Sequence, residues 1–296
     1  MRRLIKSAIS VGLLGVAVFF WLTQPGFVPE QDMADLQGDA TRGEQVFYAG
    51  GCASCHAAPE AEGAARLILS GGERFASPFG TFLAPNISSD ATHGIGGWSA
   101  IDLANAMKHG TSPDGAHYYP AFPYASYANA SLQDIADLRV FLATLPGSDL
   151  PSLPHEIGFP FNIRRGLGLW KLLFTGKDWR MAGDLNEELT RGRYLVEGLG
   201  HCSECHTRRN PIGGLERDAW LGGAPTPDGK SKVPNITPAK LTWSAGDIAY
   251  YLETGFTPDF DAAGGIMASV VLNTGQLPAS DRRAIAAYLK AIAPVE

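Results

Sequence analysis

The first thirty positions of the chain separate charged residues from apolar ones almost completely. Three cationic residues lie among the first six, residues 8–22 are almost wholly apolar, and no further charge occurs before Glu30. About twenty apolar residues are enough for a helix to cross a bilayer. We therefore predict an N-terminal membrane anchor and tether over residues 1–36.

A cleaved secretory signal peptide begins with the same basic and then apolar pattern. Here, however, the apolar run ends in the bulky residues 19–22 and no small-residue cleavage site follows it. Trp21 at the end of the span fits a membrane–water boundary, and the positive charges of Arg2 and Arg3 are expected on the cytoplasmic side. Both alternatives place the rest of the chain outside the cytoplasm, and we favour the retained anchor.

Beyond residue 38, short amphipathic segments of helical period recur in two copies, with glycine and proline abundant between them. The triplet Thr-Arg-Gly opens both copies, at residues 41–43 and 190–192, and each copy later repeats Pro-Asn-Ile and Trp-Ser. This repeat predicts a mainly α fold with two tandem domains, 37–147 and 185–296.

Each copy closes with a predicted helix whose apolar residues share one face. Ser131 is expected to cap the first of these helices and Ser280 the second. The apolar stripes, which we interpret as core, are Ile135, Leu138, Leu142 and Leu145 in the first and Ile285, Tyr288, Leu289 and Ile292 in the second.

Residues 148–184 belong to neither copy. This stretch begins rich in proline and continues with apolar and aromatic residues over 167–174, interleaved with Arg164, Arg165 and Lys171. A basic, amphipathic segment of this kind can lie on a membrane surface or bind a partner. The alternative is a linker that packs between the two domains, and we assign residues 148–184 as a linker in the predicted domain boundaries.

Length and charge limit the function. The chain has 296 residues, enough for two domains of ordinary size. Its formal net charge of −6 argues against nucleic acid as a partner. A basic protein surface remains a possible docking partner.

All four cysteines belong to two copies of the pattern C-x-x-C-H, at residues 52–56 and 202–206. This is the attachment signature of c-type haem, in which two thiols bind the porphyrin and the histidine ligates the iron. We therefore predict two covalently bound haem c groups. The predicted ligands are the thiols of Cys52, Cys55, Cys202 and Cys205 and the proximal histidines His56 and His206.

Zinc, a thioredoxin-like redox pair and disulfides are the alternatives to haem. A zinc site does not require a histidine directly after both pairs, and a thioredoxin-like protein has a single C-x-x-C. Disulfides would leave both histidines unexplained. Because bacteria attach haem outside the cytoplasmic membrane, we expect a protein of that membrane with a single N-terminal anchor and both haem domains on the periplasmic side.

A second axial ligand completes a low-spin haem, and a methionine thioether raises its reduction potential. Met267 lies 24 residues after Trp243, in a glycine-rich loop, and we predict that it is the distal ligand of haem 2. The same spacing in the first copy reaches Phe122, which cannot bind iron.

The sixth ligand of haem 1 is therefore open. His117, five residues before Phe122, is our first candidate. Met107 is a second candidate, although its position within a predicted helix favours core packing. Haem 1 can also be five-coordinate, or ligated by a group from outside this chain.

At these residues the chain resembles a known family, the membrane-anchored dihaem and multihaem cytochrome c subunits that accompany periplasmic alcohol, gluconate and aldehyde dehydrogenases. The most specific segments are 94–98, 117–127, 198–206 and 234–237. Family members commonly carry three haems, and commonly have methionine where Phe122 stands. This chain has two attachment motifs.

The resemblance implies an electron-transfer protein rather than an enzyme. A periplasmic dehydrogenase would supply electrons, and a quinone or a terminal oxidase pathway would accept them. The alternative is a dihaem oxidoreductase that converts a substrate at an open or weakly ligated haem 1, which the loss of methionine at Phe122 keeps under consideration.

Overall fold

A single long helix precedes the rest of the computed structural model, which describes residues 1–176, 178–226, 229 and 231–296. This helix, α1 (Arg2–Leu22), has a mean hydropathy of 1.9 and buries none of its side chains. Among the described residues, it is the one helix long and apolar enough to cross a membrane. The sequence expectation of an N-terminal apolar helix is thus confirmed.

Two helical units of the same plan follow α1, and the mainly α fold class is confirmed. The helices of the first are α2 (Ala40–Ala49), α3 (Cys52–His56), α4 (Ala100–His109), α5 (Tyr124–Tyr127) and α6 (Leu132–Thr144). Those of the second are α8 (Glu187–Arg193), α9 (Ser203–His206), α10 (Ala245–Thr254), α11 (Ile266–Thr274) and α12 (Ala279–Ala291). A π-helical turn at Tyr194–Leu199 extends α8. Buried residues of both units form one continuous apolar core.

The Thr-Arg-Gly triplet marks the place where the first and last helices of a unit cross. Gly43 on α2 faces the backbone of α6, and a methyl group added to it would overlap the carbonyl oxygen of Asp137. The neighbouring Arg42 donates from Nε to the Asp137 carboxylate at 2.7 Å. The glycine therefore permits close approach of the two helices, and the arginine fixes their register.

The second unit repeats this crossing between α8 and α12. A methyl group on Gly192 would overlap the carbonyl oxygen of Ala284. Arg191 donates to both carboxylate oxygens of Asp281, at 3.0 Å and 2.6 Å. The triplet is thus a packing motif that precedes each C-x-x-C-H motif, by eight intervening residues in the first unit and by nine, with the π-helical turn, in the second.

The repeated Trp-Ser pattern begins a helix in each unit. The serine accepts from the backbone three residues ahead, and the aspartate there reaches back to the serine, which is a capping box. The two boxes are Ser99 with Asp102 on α4 and Ser244 with Asp247 on α10. Both helices end at a glycine in the left-handed region, Gly110 and Gly255.

The closing helices confirm the predicted apolar stripes, which are buried in both units. Ser131 caps α6 as predicted, because its side chain accepts from the backbone NH of Asp134. The predicted cap at Ser280 is wrong. Helix α12 begins at Ala279, two residues earlier than a cap at Ser280 would require, and Pro278 before it provides no side-chain cap.

Strands are few and short among the described residues. An antiparallel sheet has the order β1 (Arg74–Ser77), β2 (Gly80–Leu83), β3 (Glu156–Ile157). A second pair joins β4 (Ala224–Pro225) and β5 (Lys232–Val233). Between the two units, a 3-10 turn at Arg164–Gly166 leads into helix α7 (Leu167–Phe174), which packs beside the end of α1.

Candidate haem sites

The first C-x-x-C-H motif forms the short helix α3, so that both thiols and the histidine project from a single turn and a half. Gly51 precedes it in the left-handed conformation, with φ of 60°. The imidazole Nδ1 of His56 lies 2.9 Å from the carbonyl oxygen of Pro85. That contact fixes the ring and leaves Nε2 as the nitrogen available to iron.

The second motif repeats this arrangement. His206 ends α9, and its Nδ1 lies 2.8 Å from the carbonyl oxygen of Pro234. Burial lowers the pKa of both His56 and His206, against the opposing effect of the carbonyl contact. Both rings are therefore neutral at pH 7, which is the form of imidazole that binds a metal.

The Pro-Asn-Ile repeat supplies both the orienting carbonyl and the fixation of its loop. The side-chain amide of Asn86 donates to the carbonyl oxygens of Ser148 and Leu150, at 2.9 Å and 2.7 Å. In the second unit Asn235 donates to the carbonyl oxygen of Val295 at 2.7 Å. Each asparagine thus ties the loop that orients the proximal histidine to the segment after the closing helix of its unit.

These donor sets fit haem c. All four cysteine thiols are free, and in each motif they lie four residues and one residue before an oriented, neutral histidine. Among the described residues, no three side chains of His, Cys, Asp or Glu gather as a metal site. The haem would supply the redox-active iron, and the chain would supply the thioether bonds and the axial ligands.

The third residue of each motif contacts the other unit. In the first motif, Ser54 Oγ donates to the carbonyl oxygen of Ser269 at 3.2 Å and accepts from Asn273 Nδ2 at 2.7 Å, both on α11. In the second, the carboxylate of Glu204 accepts from Ser126 Oγ on α5 at 3.0 Å. Helices α5 and α11 each directly follow the distal loop of their own unit. The contacts across the interface are therefore reciprocal.

His201, the residue before Cys202, lies in the same interface. Its Nε2 is 3.3 Å from the carbonyl oxygen of Gly50, and its ring meets that of Tyr127 edge-on at 5.5 Å. The Tyr127 hydroxyl donates to the same Gly50 oxygen at 3.1 Å. A histidine of one unit and a tyrosine of the other thus converge on the backbone just before the first motif.

The titration of the thiols links the two attachment motifs electrostatically. Burial, and then the nearby thiol of Cys205, raise the pKa of the Cys55 thiol to about 11. The pKa of the Tyr127 hydroxyl is also raised, first by burial and then by Cys52, Cys55 and Glu204, which belong to both motifs. The thiols of Cys55 and Cys205 are thus near enough for the charge of one to raise the pKa of the other.

The structure places the two distal positions differently. Met267 lies in the first turn of α11, partly buried against the core of the second unit. Phe122 packs among aromatic rings, with Tyr118 at 6.0 Å and Tyr127 at 5.7 Å between ring centroids. The two positions are therefore equivalent in the sequence repeat, but their surroundings differ and only Met267 carries a side chain that can bind iron.

His117, our first candidate for the sixth ligand of haem 1, contacts two other segments of the chain in this structure. It is buried, with Nε2 2.9 Å from the carbonyl oxygen of Thr23 and Nδ1 3.0 Å from Nζ of Lys171. Lysine only donates, so Nδ1 accepts and Nε2–H donates to Thr23. Both ring nitrogens are occupied by the end of α1 and by α7.

Met107 lies in α4 and is 5% exposed within the apolar core. That environment matches the core-packing alternative considered from the sequence. Sequence reasoning did not identify Ser54 and Glu204 as interface residues. No local signal could have revealed them, because their partners lie 78 or more positions away in the chain.

Replacement of Cys202 and Cys205 by alanine is expected to leave one covalent haem per chain, because the remaining pair lies in a separate unit. The measurement is a pyridine haemochrome assay on denatured protein, with the Cys52 and Cys55 double variant as the matched control. The unaltered chain should give two haems per polypeptide. A single haem in that chain would contradict the assignment.

Comparison with known proteins agrees with this geometry. The family model described as cytochrome c matches residues 40–146. A diheme cytochrome c-type protein of Cereibacter sphaeroides is 59% identical over 296 residues, the whole of both chains. The fructose dehydrogenase cytochrome subunit of Gluconobacter japonicus is 36% identical over 85% of this chain and 52% of its own length.

The alcohol dehydrogenase (quinone) cytochrome c subunit of Gluconobacter oxydans is 33% identical over the full chain and 61% of its own length. The chain thus spans the whole of the Cereibacter relative but only about half to three fifths of these two dehydrogenase subunits. These relatives are cytochromes, so the substrate-converting alternative for haem 1 is not favoured. The chain belongs to the dihaem c-type cytochromes, electron-transfer proteins that carry two covalently bound haem c groups.

Proposed function

We propose that the chain is a membrane-anchored relay, which takes electrons from a periplasmic dehydrogenase and passes them to a quinone or a terminal oxidase pathway. The relatives named as cytochrome subunits of fructose and alcohol dehydrogenases support the donor, and the word quinone in one of those names supports the acceptor. In this proposal the iron performs the redox step, and the protein fixes ligands, orientation and surroundings.

The observation that carries the proposal is the shared interface of the two attachment motifs. Ser54 and Glu204 each bind the helix that follows the other unit's distal loop. Two haems attached at these positions would share one rigid boundary rather than move on separate domains. An electron could then pass between them without diffusion of either unit.

The sites are assigned by the repeat. Haem 1 would be held by Cys52, Cys55 and His56, within domain 37–147. Haem 2 would be held in domain 185–296, with Met267 as its distal ligand. The residues assigned to haem 2 are Cys202, Cys205, His206 and Met267.

The anchor gives the proposed location. Helix α1 has the length and apolarity of a membrane span, and Arg2, Arg3 and Lys6 lie in its first two turns. Positive charge favours the cytoplasmic side of the bilayer. The C-terminal end of α1 and both haem units would then lie on the periplasmic side of the bacterial cytoplasmic membrane.

Flash photoreduction of the dilute, oxidised protein tests the relay. We expect rapid reduction of one haem, followed by a slower transfer to the second, resolved as opposite absorbance changes at their separate wavelengths. The rate of this second phase should not depend on protein concentration, because the electron stays within one chain. A second phase whose rate rises in proportion to concentration would mean that electrons pass between molecules, and the relay proposal would fail.

A further inference from the structure

The C-terminal end of α1 is clamped by the segment between the two haem units. Arg165 donates to the carbonyl oxygen of Phe20 at 2.6 Å and to Thr23 Oγ1 at 2.8 Å. Gly168 packs so closely that an added methyl group would lie 2.6 Å from the Cα atom of Thr23. An arginine at the last carbonyls of a helix satisfies groups that have no partner within the helix and complements its dipole.

A second clamp joins the same end to the first haem unit. The fully buried Thr23 accepts from His117 Nε2, and the other nitrogen of that ring accepts from Lys171. Lys171 also donates to the carbonyl oxygens of His109 and Gly110, at 2.6 Å and 2.8 Å. Helix α1, helix α7 and the first haem unit are therefore tied together at one point.

A helix at a protein–water surface turns its charged side chains outward and its apolar side chains inward. Helix α7 does the reverse. Its Lys171 points inward to the contacts above, whereas Leu172 and Leu173 are 60% and 69% exposed. Exposed apolar side chains also precede it. We call the whole set the apolar face: Phe159, Phe161, Ile163, Leu169, Leu172 and Leu173.

The clamp fixes the depth of this face relative to a membrane. The 21 residues of α1 span about 31 Å at the usual rise per residue, close to the ~30 Å of the hydrocarbon core. Thr23, directly after α1, must then lie at the outer boundary, where Trp21 is already exposed. Leu22 and Leu172 line the same small cavity, of about 240 Å³, so α7 is held at that depth.

We infer that the apolar face lies in the outer membrane–water interface, as a second contact with lipid beside the anchor. The inference rests on the proposed membrane anchoring and adds an orientation to it. Leucine and phenylalanine side chains would enter the boundary between head groups and acyl chains, as those of in-plane helices do. An exposed apolar cluster beside a membrane span then needs no protein partner to cover it.

Photolabelling of the full-length holoprotein in lipid vesicles tests this inference. The vesicles contain a phospholipid with a photoreactive diazirine on its acyl chain, and mass spectrometry maps the labelled residues. We expect labels on α1 and on the segments that carry Phe159, Leu172 and Leu173. The matched control is Phe260, which is 92% exposed in the second haem unit and lies outside the apolar face; it should remain unlabelled.

The outcomes separate the surface from the anchor. Labels on α1 with none on α7 would overturn the inference and leave the anchor in place. No label on α1 would instead overturn the proposed anchoring.

A double variant provides a second test of the inference. Leu172 and Leu173 are replaced together by serine, which removes apolar side chains that the fold does not bury. We expect the labels on the α7 segment to fall to the level of the Phe260 control while those on α1, the haem content and the melting temperature stay unchanged. Undiminished labelling of the rest of the α7 segment in this variant would show that the leucines do not hold it in the interface.

Discussion

Replacing Met267 by alanine is expected to abolish the methionine–iron charge-transfer band of the oxidised protein and to lower the potential of haem 2. Soft thioether sulfur favours ferrous iron, so its loss stabilises the ferric form. The shift should be on the order of 0.1 V, a modest part of the roughly 0.8 V range that axial ligands set. Optical spectra and a redox titration measure both effects.

The band should vanish completely, because the equivalent position in the first unit is Phe122. Met107→Leu is the matched control, since Met107 lies in the apolar core and its replacement should leave the band unchanged. The converse variant, Phe122→Met, should add a second charge-transfer contribution and raise the potential of haem 1. Survival of the band in the Met267 variant would show that another methionine ligates iron, and its loss in Met107→Leu would identify which one.

Replacing Gly192 by alanine is expected to destabilise the second unit strongly. The added methyl group would overlap the carbonyl oxygen of Ala284 and lie 2.9 Å from Cβ of Tyr288, so α8 and α12 would have to move apart. Overpacking of this kind costs about 1–3 kcal/mol, and sometimes more. Thermal unfolding of the haem-loaded protein, followed by circular dichroism, measures the loss.

Gly246→Ala is the matched control for that variant. It adds the same methyl group to a helix, α10, where the nearest atom is Ser244 Oγ at 3.6 Å. Alanine is the better helix former, so this variant should be neutral or slightly stabilised. If both variants melt at the temperature of the unaltered chain, the helix crossing does not constrain the fold as the structure indicates.

Much of this fold is predictable because its determinants are local. Helical periodicity predicted the apolar stripes of the core. The repeated short motifs predicted two units of similar architecture, each with one C-x-x-C-H motif. The structure adds the reason for several repeated residues: the glycine of the triplet allows helices to cross, and the proline of Pro-Asn-Ile presents its carbonyl to the proximal histidine.

Contacts between distant segments could not be predicted in the same way. The two partners of His117, Thr23 and Lys171, lie 94 and 54 positions away, so no local pattern could reveal them. The pairing of Ser54 with Asn273 spans 219 positions and follows no period. Ser280 was misplaced as a cap for a simpler reason, since Pro278 already provides the extended backbone from which α12 begins.

The reciprocal contacts of Ser54 and Glu204 have the form of an isologous homodimer interface, in which the same patch meets itself about a two-fold axis. In a homodimer both copies come from one gene, so every substitution appears twice and the two haems must remain identical. Here the two copies are joined in one polypeptide, and each can change alone. Phe122 and Met267 are such a divergence. It allows two haems on a symmetric scaffold to have different potentials, so that electrons pass preferentially from one to the other.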